Sequence, residues 1–326
     1  MSIQLLTLFV ELEVLIKLNK DRAELARSFV YKENGMKESK RQQALTWLAG
    51  HPVSWQCLHC DQPLQLLGQR LTCNNGHSFD LSRQGYVNLA KNNHPSQYDQ
   101  TLFNLRRRII LESPFYQALH QALLTIIKER PVTHLLDAGC GEGSHLYRLS
   151  QFLEPTLSLI GVDLAKEGIQ LATDFNQSQF SVVADLAQLP FQENSFDLVL
   201  SILSPANYEE FNRVLKTTGR LIKVIPNTRY LIELRSAIAN LLEQAEVEYS
   251  NEDVEQVFRH HYIKVEDHDV YQKLALSEDQ RRQLIHMTPL TWRLTTKQKE
   301  ELFNQLPTTI SLDLRVLVAE KVNFLG

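Results

Sequence analysis

The sequence predicts an α/β protein whose main body is a mostly parallel sheet of seven strands, covered on both faces by helices. A small metal-binding β module precedes this sheet, behind an N-terminal helical extension. Three observations carry the prediction. Between residues 132 and 225, short apolar runs alternate with helical patterns, the rhythm of parallel strands joined by crossover helices. A glycine-rich turn, Asp137-Ala138-Gly139-Cys140-Gly141-Glu142-Gly143, follows the first strand and opens the first helix of that series. Three of the four cysteines and one histidine (Cys57, Cys60, Cys73 and His77) fall in C-x2-C-x12-C-x3-H spacing.

Residues 1–50 read as two or three amphipathic helices. The stretch 5–18 is apolar, but Glu11 and Glu13 interrupt it. It is too short and too charged to cross a membrane, and it lacks the basic head and small-residue cleavage site of a signal peptide. Met36 offers an alternative start beyond that stretch. Residues 51–92 form the metal module, with strands at 55–57, 64–67, 70–73 and 77–81. Gly68 and Asn74-Asn75-Gly76 supply its turns. Residues 93–130 are a helical linker that starts polar and takes on helical period at 101–128, with a break near Ser113-Pro114.

Residues 131–326 hold the main sheet. Its strands are expected at 132–138, 157–163, 180–185, 196–202 and 219–225. Helices are expected at 144–152, 166–175 and 208–215, and a long one from Arg229. Two late β-rich runs, 262–270 and 309–321, add an antiparallel hairpin at the sheet edge and bring the strands to seven. Between them, Ser277-Glu278-Asp279-Gln280 is a capping-box start for a helix carrying Leu284 and Ile285.

Composition narrows the function. The chain has 326 residues, 43% hydrophobic and 22% charged, which is ordinary for a globular protein of two domains. A net charge of −4 excludes a strong global field for nucleic acid, so RNA binding would rest on a local basic patch. Cysteines in metal spacing fit a reducing cytoplasm better than a disulfide framework. Thiolate and imidazole donors on two short loops can close a tetrahedral zinc site, one structural ion per chain. His59, inside the module, reads as a loop residue. His94, His120, His134 and the His260-His261 pair lack ligand spacing and read as surface or capping residues.

The glycine turn alone is weak, since nicotinamide enzymes also use one. Here Asp137 stands two residues before Gly139, and glycines recur at 141 and 143. Gly139 and Gly141 let the backbone approach a ligand without a Cβ in the way. Cys140, between them, reads as a small packed residue. Asp163 ends the second strand, placed for ribose hydroxyls. Asp185 ends the third, where a carboxylate can accept from an adenine amino group, with Leu186 beside it. Together these resemble the class I S-adenosylmethionine-dependent methyltransferases, whose fold is Rossmann-like.

A narrower resemblance follows from the order of motifs. The metal module is followed by Gly85-Tyr86-Val87-Asn88-Leu89, then Arg107-Arg108, then Tyr116, then the glycine loop. Downstream stand Pro226-Asn-Thr-Arg-Tyr-Leu-Ile-Glu-Leu-Arg235 and Met287-Thr288-Pro289-Leu-Thr-Trp292-Arg293. From about Trp55 onward this resembles the large-subunit rRNA guanine-N1 methyltransferases of the RlmA/RrmA type. Residues 1–50 lie outside the resemblance. It implies zinc at Cys57, Cys60, Cys73 and His77. It also implies cofactor contacts at Gly141, Glu142 and Tyr116. Tyr230 stands where the family usually carries a cofactor-contacting histidine. The resemblance implies a guanine in a domain II hairpin of 23S rRNA as substrate, at a 745-type or 748-type position in rRNA numbering. It also implies a homodimer.

Methyl transfer from a sulfonium needs alignment more than nucleophile activation, and the proton on guanine N1 must leave. The fourth strand ends Ser201-Ile-Leu-Ser204-Pro205. It lacks the Asn/Asp-Pro-Pro-aromatic run used on exocyclic amines, and it lacks a cysteine for C5 methylation. Ring-nitrogen methylation remains by elimination, with Ser204 and Asn207 near enough to line an acceptor pocket. Arg106-Arg107-Arg108 is either a phosphate clamp or a solvated helix face. Trp292, with Arg293 beside it, either stacks on an extruded base or packs the C-terminal lobe. Two other functions fit the same residues: a small-molecule methyltransferase with a structural zinc module, and a non-catalytic RNA-binding assembly factor.

Overall fold

In the computed structural model, which describes residues 38–91, 99–244 and 249–321, the strands collect into two sheets. The chain enters through α1 (Lys40–Gly50) and builds a four-stranded antiparallel sheet from β1 (Trp55–Gln56), β2 (Pro63–Leu67), β3 (Arg70–Cys73) and β4 (Ser78–Asp80). A short β5 (Val87–Asn88) follows, then α2 (Gln100–Glu112) and α3 (Gln117–Lys128). The expected break between these two helices is present. The Ser113 hydroxyl donates back to the Ile109 carbonyl (2.6 Å) where α2 ends.

The second sheet alternates as expected: β6 (His134–Ala138), α4 (Ser144–Ser150), β7 (Ser158–Asp163), α5 (Lys166–Ala172), β8 (Phe180–Val183), β9 (Phe196–Ile202), α6 (Tyr208–Val214) and β10 (Leu215–Pro226). After α7 (Ile232–Leu241) and α8 (Glu252–His261) comes β11 (Val265–Ala275). Then α9 (Glu278–Met287) and α10 (Thr296–Gln305) lead into β12 (Thr309–Glu320). The capping box at Ser277 and Gln280 forms as expected. The late hairpin pairs β11 with β12 antiparallel, and β12 continues the sheet against β10.

The sheet order is β11-β12-β10-β9-β6-β7-β8-β5. Its strands therefore number eight among the described residues, not the seven expected. The extra strand is β5, which runs parallel to β8. Val87 and Leu89 are buried, and the Leu89 N–H donates to the Val183 carbonyl (2.8 Å). An open edge on β8 would expose a row of unpaired backbone groups; the Gly85–Leu89 motif covers it. The long helix expected from Arg229 begins only at Ile232, because Leu231 turns left-handed (φ 52°). The sequence reading did not anticipate α8 and α10.

Alternate residues of the strands feed two cores. One face of the sheet carries Leu136, Ile160, Val162, Val199 and Leu221 toward α1, the metal module and α6. The other carries Leu135, Leu159, Leu198 and Ile222 toward α3, α7, α9 and α10. The module is fused to the first core. Trp55 packs on Phe191 (centroids 5.0 Å) and edge-on to Phe180 (5.8 Å). The Gln56 N–H donates to the Pro190 carbonyl (3.0 Å) and the Gln192 N–H to the Ser54 carbonyl (2.8 Å). Trp47 of α1 stacks on Phe180 as well. The last part of the N-terminal extension is thus core structure; residues 1–37 and the linker stretch 92–98 lie outside the described residues.

Candidate functional site

Two turns bring the predicted metal ligands together. Cys57 and Cys60 flank the turn after β1, which the Asp61 N–H closes onto the Cys57 carbonyl (2.8 Å). Cys73 and His77 flank the next, closed by the Cys73 N–H on the His77 carbonyl (3.0 Å). The four donor atoms lie within 4.8 Å of one another. Cys60 Sγ is 3.7 Å from Cys73 Sγ, and His77 Nδ1 is 3.6 Å from Cys57 Sγ and 3.4 Å from Cys73 Sγ. A tetrahedral zinc with Zn–S near about 2.3 Å and Zn–N near about 2.0 Å sets such separations at roughly 3.5–3.8 Å, so the donor set fits that ion. His59 is turned to Phe79, ring on ring at 5.7 Å.

The glycine loop passes over the C-terminal ends of β6 and β9. Gly139 sits at φ 85°, and a Cβ there would lie 2.5 Å from Ser204 Cβ. The backbone conformation and the close approach each demand glycine. Asp163 braces the loop: Oδ2 accepts from the Gly141 N–H and Oδ1 from the Ala165 N–H, both at 2.8 Å. Asp185 accepts from the Ala187 N–H (2.9 Å) through one oxygen. Leu186 comes to 3.8 Å of the Cβ position at Gly139. Cys140 is buried, and burial holds its thiol well above the usual range.

On the far side of the loop, the Tyr116 and Tyr230 hydroxyls meet at 3.2 Å. The tyrosine at the family's histidine position thus pairs with the other aromatic residue expected at the cofactor. Tyr116 is edge-on to His145 (4.9 Å), which hydrogen-bonds His120 (2.9 Å). His120 was expected to be a surface or capping residue. It is buried, and burial, aided by Arg148, pushes its pKa down to about 4.

The three arginines of α2 have three different placements, because consecutive helical residues point about 100° apart. Arg106 faces the loop: Nε is 3.5 Å from Glu142 Oε2, and Nη1 is 3.5 Å from the Cβ position at Gly141. Burial pushes Asp137 up to about 7, while Arg106 draws it back. Burial likewise raises Glu142 and Asp163, against the same guanidinium. Arg107 donates to Asp174 Oδ2 and to the Leu171 carbonyl, both at 2.6 Å, and lies over Phe175. Its two terminal nitrogens are thus taken by protein acceptors, while Nε is buried without one. Arg108 is half exposed and pairs with Glu112 one turn on (3.2 Å). Trp292 is 37% exposed and Arg293 is exposed.

At the end of β9 a polar cluster lies under Gly139. Ser204 Oγ donates to the Ala138 carbonyl (2.8 Å) and meets Ser201 Oγ at 2.9 Å. Lys223 of β10 donates to Ser201 Oγ (3.1 Å) and to the Ser204 carbonyl. Burial pushes its pKa down to about 8. Sequence reasoning missed Lys223; the available signal was one charge inside the apolar run Leu221–Ile225. Asn207, expected near the acceptor, instead caps α6 by accepting from the Glu210 N–H (3.1 Å).

Comparison with known proteins agrees with this arrangement. A family profile described as "RlmA, N-terminal" matches residues 55–94, and one described as "Methyltransferase domain" matches residues 136–224. A Bacillus subtilis protein, YxjB, provisionally named a 23S rRNA (guanine-N1)-methyltransferase, is 36% identical over 275 residues. That alignment covers 82% of this chain and 97% of the relative. The 23S rRNA (guanine(748)-N1)-methyltransferase of Streptomyces fradiae is 27% identical over 266 residues, 80% of this chain and 94% of its own. With the donor cluster, the glycine loop and these alignments together, the chain belongs to the RlmA-type family of 23S rRNA guanine-N1 methyltransferases and is an S-adenosylmethionine-dependent enzyme.

Proposed function

We propose that this protein transfers the methyl group of S-adenosylmethionine to N1 of a guanine in 23S rRNA, within a domain II hairpin at a 745-type or 748-type position. The observation that carries the reading is the fusion of the Cys3His module to the cofactor-binding sheet. β5 extends that sheet, and Tyr86 packs with Cys140 of the glycine loop. A module joined this rigidly can present a folded substrate at a fixed distance from the loop.

The loop residues fit the cofactor. Gly139, Gly141 and Gly143 all take left-handed backbone (φ 85°, 57° and 74°), and at Gly139 and Gly143 a Cβ would collide with Ser204 and with Gln179. Asp163 stands on the ribose side, Asp185 and Leu186 on the adenine side, and Asp137, Glu142, Tyr116 and Tyr230 near the methionyl end. When bound, the sulfonium supplies a methyl group already activated by its positive charge. The chain's own residues orient the acceptor and exclude water. Ser201, Ser204 and Lys223 form the polar floor beneath Gly139, on the side where an acceptor base would face the methyl group. A paired guanine must leave its stack to reach it, and Trp292 and Arg293 are the exposed side chains offered to stack on it and hold its phosphate. Zinc at Cys57, Cys60, Cys73 and His77, one per chain, would lock the module. A homodimer and a cytoplasmic location belong to the same reading; no described helix is long and apolar enough to cross a membrane.

The test uses unmodified 23S rRNA fragments spanning the domain II hairpin, with labelled methyl donor. N1 methylation blocks Watson–Crick pairing, so reverse transcription is expected to stop at one guanine of the hairpin. Label entering only a pool of small acceptors, with none in RNA, would overturn the reading.

A further inference from the structure

Arg106 stands out from its neighbours on α2. Arg107 spends both terminal nitrogens within the protein and Arg108 pairs along its own helix. Arg106 instead lies against the glycine loop, with Nη1 3.5 Å from the Cβ position at Gly141. Its partner, Glu142, has a side chain only 1% accessible. Neither Glu142 oxygen makes a well-formed hydrogen bond, although its own backbone N–H and the Ser144 side chain lie near enough to ease its ionisation, and the Arg106 Nε contact at 3.5 Å is an ion pair longer than a good hydrogen bond. The Glu142 side chain is thus buried beside the loop, near enough to hold a guanidinium by charge. The Arg106 side chain keeps 24% accessibility. Among the described residues, its Nη1 and Nη2 donate to no acceptor.

Charge balance says what those donors await. Asp137, Glu142 and Asp163 all act on Arg106, so the loop holds three carboxyl groups against one guanidinium. A methyl donor brings two positive groups, sulfonium and α-ammonium, and one negative group, the α-carboxylate. Asp137 is the carboxyl group left to face the positive groups. The carboxylate needs a cation beside the loop with planar paired donors.

We propose that Arg106 receives the α-carboxylate of the methyl donor's methionyl group, and that Glu142 is a positioning residue fixing the guanidinium beside Gly141. The proposal rests on reading the loop as the S-adenosylmethionine site and names the residue that selects the donor's amino-acid end. Glycine at 141 is then needed for its left-handed backbone (φ 57°); a Cβ there would lie in ordinary contact with the guanidinium.

The test is calorimetric binding by the full-length protein, with ligands that differ only at that end. S-Adenosylhomocysteine carries the amino-acid group, and 5′-methylthioadenosine lacks it. Arg106→Gln is expected to weaken S-adenosylhomocysteine binding roughly 10- to 100-fold, with 5′-methylthioadenosine within about twofold of wild type. Arg106→Lys should recover part of the loss, and Glu142→Gln should lose less than Arg106→Gln. Equal losses for both ligands would make Arg106 a mere support of the loop and overturn the proposal, as would no loss for either. A second measurement needs no variant. Wild-type protein should bind decarboxylated S-adenosylmethionine at least about 10-fold more weakly than S-adenosylmethionine; equal affinity overturns the proposal. Failure of wild-type protein to bind either nucleoside would instead sink the cofactor reading itself.

Discussion

At the scale of single residues, the structure sorts like-looking side chains by their surroundings. Asp137, Asp163 and Asp197 are all aspartates at or near strand ends, yet burial raises the first two. Burial would raise Asp197 as well, but its donors outweigh that. It accepts from Lys216 Nζ (2.8 Å), Thr133 Oγ (2.6 Å), and the backbone N–H groups of Thr133 (2.9 Å) and His134 (3.0 Å). These hold its pKa down to about 2, against an ordinary 3.8. A carboxyl group depressed by folding stabilises the protein above its unfolded pKa, and that stabilisation disappears as pH falls through the folded one. After allowance for solvent screening, the contribution is about 1–2 kcal/mol at neutral pH. Asp197→Asn is expected to lower the urea midpoint at pH 7 and to converge with wild type as pH drops from about 4 to about 2. A constant gap across that range would contradict the assignment. The arginines make the same point: the triple run is plain in the sequence, but helical geometry aims one at the cofactor loop, one at Asp174 and one at its own helix.

At the scale of elements, the metal module is the part least able to hold itself together. Its strands are two to five residues long. Its buried apolar residues, such as Leu64 and Leu71, are too few to fix so small a unit, the situation in which small domains rely on metals. A metal bound at the Cys3His cluster would therefore contribute directly to its folding. Cys57→Ser is expected to reduce zinc from one per chain to a small fraction. It should also lower the melting temperature by several degrees and make residues 55–91 the first site of proteolysis. Metal content or melting equal to wild type would contradict the zinc assignment. The ligand spacing and all four of the module's strands were legible to within a residue, because turn residues and ligand positions are local signals. That β5 leaves the module to join the other sheet was not legible. Gly85-Tyr-Val-Asn-Leu89 carries no local sign of which sheet it will pair with.

At the scale of the molecule, one buried side chain ties three parts of the chain. Asn176 Nδ2 donates to the carbonyls of Lys40 (3.2 Å), Gln84 (3.3 Å) and Gly85 (3.3 Å). Gly85 admits this contact, since a Cβ there would sit 2.4 Å from both Asn176 Nδ2 and the Lys40 carbonyl oxygen. Helix α1, the module and the Rossmann-like sheet thus share one core, and they should unfold as one. Urea unfolding followed separately by tryptophan fluorescence, with Trp47 and Trp55 at the junction, and by far-UV signal is expected to give coincident transitions. Two separated transitions would show that the module is an independent domain. Asn176→Leu strands three carbonyls and should cost about 2–3 kcal/mol.

What the sequence determined by itself is local and chemical. Periodicity set the strand–helix alternation, four spaced donors set the metal cluster, and alternating glycines behind Asp137 set the cofactor loop. Each depends on residues close together in the chain, where spacing alone implies geometry. Tertiary structure decided the rest. Pairing to β8 made Val87–Asn88 an eighth strand, and packing across more than a hundred residues put Tyr116 against Tyr230. The direction of α2 turned Arg106 toward Glu142, and burial in an apolar strand left Lys223 beneath Gly139. These outcomes depend on which surfaces meet once the chain has folded, and no local pattern encodes that meeting.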